Sequence, residues 1–137
     1  VGTIVSVNIS SKKGQAKFPV AEALVIARLG IRDDAHLGFA HRQVSLLMME
    51  SIEEQRARLG GEAGLAIGPG AFAENFTTRG IDLTDLVVGD ELVVRAKGDT
   101  VRLRVSQLGK ECHTKCAIYK LTGDCIMPEL GVFCEVL

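Results

Sequence analysis

The segment ELVVRAKGDTVRLRVSQL (residues 91–108) sets the fold class. Val101, Leu103 and Val105 alternate with Thr100, Arg102 and Arg104, the period-two pattern of a strand with one face buried and the other solvated. Glu91 to Ala96 reads as its partner strand, and Lys97-Gly-Asp-Thr100 as the hairpin turn that joins them. Working outward, Val1 to Ile9 puts Val1, Thr3, Val5, Val7 and Ile9 on one side of a two-residue period and predicts a half-buried strand. Ser10 to Lys17 reads as a polar loop. In Val20 to Ala27, Ala and Leu argue helix while the Val/Ile cluster argues strand, so propensity leaves both open.

Gln43 to Met48 is an apolar run of strand length. Ser51-Ile-Glu-Glu54 has the spacing of a capping box, predicting a helix from there to about Leu59 that Gly60 and Gly61 end. Gly60 to Gly70 (GGEAGLAIGPG) reads as loop or tight turns, and Val132 to Leu137 as a closing strand. Many short strands, few helices and 15 dispersed glycines predict a mainly β fold: a closed β-barrel of complex topology with one or two short helices and long loops.

The 137 residues, 47% of them hydrophobic, suit a single domain over 1–137 whose core holds without disulfides or a structural metal. Sixteen Lys and Arg against seventeen Asp and Glu leave a net charge of -1, without the basic excess that drives binding to a phosphate backbone; nucleic acid is not an expected partner. No apolar run approaches the ~20 residues of a bilayer crossing, and no basic-then-apolar signal opens the chain. The expectation is a soluble, cytoplasmic protein with no membrane partner.

Three clusters carry chemistry. In Gly109-Lys-Glu-Cys-His-Thr-Lys-Cys116, the Lys110 and Lys115 charges favour thiolate at Cys112 and Cys116, the form that attacks electrophiles or binds metal. Both thiols also fit small buried hydrophobes. A zinc site using Cys112, Cys116, Cys125 and Cys134 lacks a proper second knuckle, and Cys134 falls inside a strand pattern. The second cluster, Asp33-Asp-Ala-His36 with His41-Arg-Gln43, offers Arg42 as a fork for phosphate or carboxylate and His36 or His41 as proton donor; alternatively, its polar groups tie a long loop together. The third, Gly68-Pro-Gly70 with Phe72 to Gly80, has no Gly-Lys-Ser/Thr and is no nucleotide P-loop. It reads as a tight turn into a strand, or as backbone that lets an anion approach.

In order along the chain, DDAHLGFAHRQVSLL, GPGAFAENFTTRGIDL and GKECHTKCAIYKLTGDCIMPELGVF resemble the MOSC domain, named for the C-terminal domain of molybdenum cofactor sulfurases, in its small standalone bacterial form. The resemblance implies a β-rich barrel, which favours strand for Val20 to Ala27. It also implies a pterin partner, the molybdenum cofactor (molybdopterin), which carries a dithiolene and a phosphate. Cys112 best fits the motif cysteine that carries persulfide sulfur or ligates molybdenum, with Cys116 and His113 beside it. Asp34, His36, His41, Arg42, Gln43, Glu74, Asn75, Thr77 and Lys110 are the implied cofactor-binding set. Two features depart from the family: three residues separate Cys112 from Cys116 where relatives have two, and Asp33 replaces the usual glycine. The implied role is a sulfur carrier or sulfurtransferase; the alternatives are a molybdenum-dependent reductase of N-hydroxylated compounds and a non-enzymatic cofactor carrier or sensor. Pyridoxal phosphate enters only through a separate partner, such as a cysteine desulfurase, and a molybdoenzyme is the other implied partner.

Overall fold

A computed structural model of the chain describes residues 1–109 and 126–137. The long hairpin forms as its pattern dictates: β7 (Glu91–Ala96) pairs antiparallel with β8 (Asp99–Leu108), Ala96 opposite Asp99. Lys97 and Gly98 make the turn at φ 51° and 82°. Two successive positive-φ residues match the right-handed twist of the strands they join. Leu103 and Val105 are buried while Arg102 and Arg104 are exposed.

Around this hairpin a seven-stranded mixed sheet runs in the order β2-β1-β6-β5-β9-β8-β7. It contains β1 (Thr3–Ile9), β2 (Phe18–Val20), β5 (Val44–Met48), β6 (Phe76–Arg79) and β9 (Val132–Val136). A separate pair joins β3 (Val25–Ile26) to β4 (Gly30–Ile31). The pair β5 and β6 is parallel, so the chain crosses over between them through α1 (Met49–Leu59), α2 (Gly61–Leu65) and the loop to Asn75. A one-turn α3 (Met127–Leu130) leads into β9.

The expected closed barrel is not what forms: the sheet is open, with β2 and β7 as its edges. Closure requires a backbone ladder between the terminal strands. β2 is three residues long with Pro19 at its centre, and proline has no N–H to offer a further strand. Between the β7–β8 turn and the segment after β2 there is a side-chain ion pair, Lys97 with Glu22, in place of a backbone ladder.

Three local expectations also change. The sequence that left helix and strand open across Val20 to Ala27 forms neither as one element: β2 ends at Val20 and β3 takes only Val25 and Ile26. The α1 helix starts at Met49, straight out of β5, with no side-chain cap, so Ser51 lies inside the first turn, buried, instead of capping it. Within the glycine-rich stretch, residues 61–65 are helical. β1 forms as expected, but a bulge between Ile4 and Ser6 shifts its phase: Val5 faces solvent, whereas Ile4, Val7 and Ile9 pack on the core. An extra residue in one strand reverses which face the following side chains take.

Two apolar clusters hold the sheet. One face packs Val44, Leu46, Phe76, Leu103, Val105, Val132, Cys134 and Val136 with Ile31 and Leu83. The other packs Leu47 and Phe133 against Met49 and Ile52 of α1, Ile67 and Phe72 of the crossover, and Ile126 and Met127. Each fully buried Leu or Phe contributes about 1.5–3 kcal/mol by leaving water. Among the described residues, no helix is long and apolar enough to cross a membrane.

Candidate functional site

The second cluster folds around a buried ion pair that the sequence does not announce. Lys17, at the end of the polar loop after β1, is 2% exposed, and its Nζ lies 2.8 Å from Asp34 Oδ1. Nζ also donates to Ser10 Oγ at 3.1 Å and lies 3.3 Å from His36 Nδ1. Asp34 further accepts from the backbone N–H of Ser10 on Oδ1 and of His36 on Oδ2, each at 3.1 Å. Burial works to raise the Asp34 carboxyl, but its close contacts with His36 and Lys17, and the Lys17 charge, outweigh it and hold the group well below the usual carboxylate range. The carboxylate therefore stays ionised, and Asp33 beside it turns the loop at φ 69°.

His36 stands at the mouth of this pair. Its side chain is 18% exposed and meets the Phe39 ring edge-on, 5.7 Å between centroids. Two cations face the same ring: Lys13 Nζ at 3.7 Å and Arg42 Cζ at 5.0 Å from its centroid. The rim of the loop thus gathers Lys13, His36 and Arg42 about one aromatic side chain. His41 points elsewhere, exposed, with Nδ1 3.6 Å from Glu135. Gln43 is buried as a clamp: its Nε2 donates to the Arg28 carbonyl at 2.9 Å, and its Oε1 accepts from Val136 N–H at 3.0 Å.

The third cluster forms a dense polar knot on the crossover face of the sheet. Glu74 is fully buried; its Oε2 accepts from Gly70 N–H at 2.9 Å and Thr77 Oγ1 at 2.7 Å, and its Oε1 from Phe72 N–H at 3.3 Å. Burial pushes the Glu74 carboxyl up, against the lowering effect of those bonds. Asn75 accepts from Ser45 N–H at 3.0 Å and donates to the Asn8 carbonyl at 3.0 Å, while Asn8 Nδ2 donates to Thr77 Oγ1 at 3.0 Å. The hydrogen-bonding groups of Glu74, Asn75 and Thr77 are thus directed into the protein and join β1, β5 and β6.

Lys17 links the two clusters. Its backbone N–H donates to the Gly70 carbonyl at 2.8 Å. Gly70 sits at φ 88°, and a Cβ there would lie 2.2 Å from the Lys17 carbonyl oxygen, so only glycine fits. Sequence reasoning missed Lys17, Ser10 and Asn8. Nothing in a polar Lys- and Ser-bearing loop marks one lysine as buried, because its partner lies 17 residues away.

The thiol segment's reactive residues, Lys110, Cys112, His113, Cys116 and Cys125, lie outside the described residues. Their flanks are described: Gly109 N–H donates to the Gly131 carbonyl at 2.7 Å, and Ile126 and Met127 pack in the cluster that contains Phe72. Cys134 is fully buried in β9, where burial pushes its thiol up to about 12. Among the described residues no group of three or more His, Cys, Asp or Glu side chains could hold a metal.

The fold is similar to those of solved structures. YiiM from Geobacillus stearothermophilus superposes with a TM-score of 0.69 at 22% identity, matching all of this chain and 68% of that one. YiiM from Escherichia coli gives 0.69 at 17%, covering 100% and 63%, so this chain spans less than two thirds of that protein's length. The YuaD protein from Bacillus subtilis gives 0.72 at 18%, covering 98% and 87%. No curated protein matches the sequence. The family model for the MOSC domain matches residues 33–128, a stretch that begins at the Asp33–His36 cluster, takes in the Gly70–Thr77 knot and includes the thiol segment. On that match, which covers most of its length, the chain belongs to the MOSC domain family.

Proposed function

We propose that the chain binds the molybdenum cofactor and carries sulfur as a persulfide on Cys112, with Cys116 and His113 beside it and a cysteine desulfurase or a molybdoenzyme as partner. The MOSC family is generally linked to this cofactor. The observation that carries the reading is the family match, whose residues 33–128 include the thiol segment. Of the described residues that flank it, Gly109 donates to the Gly131 carbonyl at 2.7 Å, and Ile126 and Met127 pack in the cluster that contains Phe72.

The residues at hand fit the cofactor's chemistry. Lys13, Arg42 and His36 about Phe39, with Lys110, suit its phosphate, and a soft thiolate suits a thiophilic centre. When bound, the cofactor supplies that thiophilic metal centre. Sulfur loading needs only the chain's own thiolate and a persulfide donor. Cys112 attacks the donor's terminal sulfur, a new S–S bond forms as the donor's S–S bond breaks, and the donor leaves as thiolate. The terminal S–H is retained, so no outside oxidant or reductant enters.

The test is to purify the chain after expression with molybdate and to assay bound molybdenum, pterin and cyanide-labile sulfur in wild type, Cys112→Ser and Cys116→Ser. Wild type is expected to carry cofactor and labile sulfur, and Cys112→Ser to lose the sulfur. A wild type with neither, or two variants with full loading, overturns the reading. Tight cofactor binding with no labile sulfur in any form leaves a carrier without sulfur chemistry.

A further inference from the structure

The ammonium of Lys17 can only donate hydrogen bonds, and an imidazole nitrogen can accept one only where it carries no proton. With Lys17 Nζ 3.3 Å from His36 Nδ1, a neutral ring that accepts from Lys17 keeps Nδ1 bare and holds its proton on Nε2. The competing arrangement has Nδ1–H donating to Asp34. That contact is longer, 3.7 Å to Oδ2, beyond hydrogen-bond distance. Lys17 itself is fixed from below by Asp34 Oδ1 at 2.8 Å and Ser10 Oγ at 3.1 Å, in a pair whose side chains are 0% exposed. Nε2 is the ring's other nitrogen, on a side chain 18% exposed beside Phe39, Lys13 and Arg42.

We propose that Lys17 is a positioning residue that locks neutral His36 in its Nε2–H tautomer, so that the ring offers a donor, and not an acceptor, to an anionic oxygen at this rim. A bare Nε2 would repel such an oxygen; a fixed Nε2–H adds a directed hydrogen bond to the less directional attraction of Lys13 and Arg42. The use of that donor rests on the cofactor reading above. The tautomer itself does not, because it is set by groups of the chain alone.

The tautomer is read by long-range proton–nitrogen correlation on the histidine-labelled chain without ligand, at about pH 8.5, well above the ordinary imidazole value. The chain has three histidines, and His36→Gln assigns the His36 pattern by its loss. Wild type is expected to show an Nε2–H ring. Lys17→Met, which leaves the Asp34 carboxylate as the ring's neighbour, is expected to shift His36 toward Nδ1–H, whereas Lys17→Arg, still a donor, keeps Nε2–H. A wild-type ring that is Nδ1–H or an even mixture overturns the proposal, and so does an unchanged pattern in Lys17→Met. Should Lys17→Met not fold, the wild-type and Lys17→Arg spectra still decide. A chain that loads no molybdenum leaves the tautomer result standing, so the two readings fail separately.

Discussion

Replacing Lys17 by Met removes one member of a buried ion pair and leaves its partner in place. Asp34 keeps its two backbone donors, Ser10 N–H and His36 N–H, each at 3.1 Å, but loses the cation at 2.8 Å. Breaking a buried pair on one side costs about 3–5 kcal/mol, because the remaining charge stays desolvated. The two backbone donors that remain on Asp34 offset part of the loss, which places the expected cost near the lower end, about 3 kcal/mol. A domain of 137 residues has a total stability of about 7–20 kcal/mol, so the variant remains folded. With a urea m-value of about 1–3 kcal/mol per molar, the denaturation midpoint falls by about 1–3 M.

The pH dependence supplies a second check whose sign is determined. In wild type the Asp34 carboxyl is depressed when folded. Its contribution is therefore present above the unfolded value of about 3.9 and is lost only as pH falls through the lower folded value. Without Lys17, burial raises the same carboxyl, and the cost of keeping it ionised disappears as it protonates. The gap between wild type and Lys17→Met should thus be widest near neutrality and shrink on acidification toward about pH 4. Urea titrations at several pH values measure it. A cost below about 1 kcal/mol at neutrality, or a gap that does not shrink, refutes the buried-pair account.

Two further substitutions test other parts of the structure. Ser51→Ala should be neutral or stabilising by up to about 0.5 kcal/mol, since Ser51 lies within α1 and alanine is the better helix former; a loss of about 1 kcal/mol in thermal or urea unfolding would instead mark it as a cap. Glu74→Gln should cost about 1–3 kcal/mol, because an amide NH2 would face one of the donors from Gly70, Thr77 and Phe72. Glu74 is raised in the folded state, so wild type gains relative stability as pH falls through that raised value and the gap to Glu74→Gln widens, opposite in sign to the Lys17 variant. A gap that narrows on acidification counts against it.

Much of the chain was legible locally. The β7–β8 hairpin lies within eighteen consecutive residues, so alternation and the Lys97-Gly98 turn were enough to read it, and β5 and β9 were equally plain as apolar runs. The phase of β1 was not, because one bulge at Val5 reverses the face and leaves no mark in composition. The α1 start was misplaced for a related reason: a capping box was legible at Ser51, but the helix grows directly from β5 and needs no separate entry. In the candidate site, the grouping of Asp34, His36 and Arg42 was visible as a cluster, whereas the exposed position of His41 and the clamp made by Gln43 were not.

The sequence by itself determined what depends on neighbours along the chain: strand alternation, the hairpin turn, the glycine breaks, and the three ordered clusters that mark the family. Tertiary structure decided what depends on distant partners. Whether the sheet closes rests on its edges, and Pro19 in a three-residue β2 leaves it open. Which polar side chains are buried rests on where their counterparts arrive. Lys17 meets Asp34 across 17 positions, and Asn8 meets Thr77 across 69. Buried polar groups persist only where a partner offsets their desolvation, and that partner is specified by the fold and not by any local run of residues.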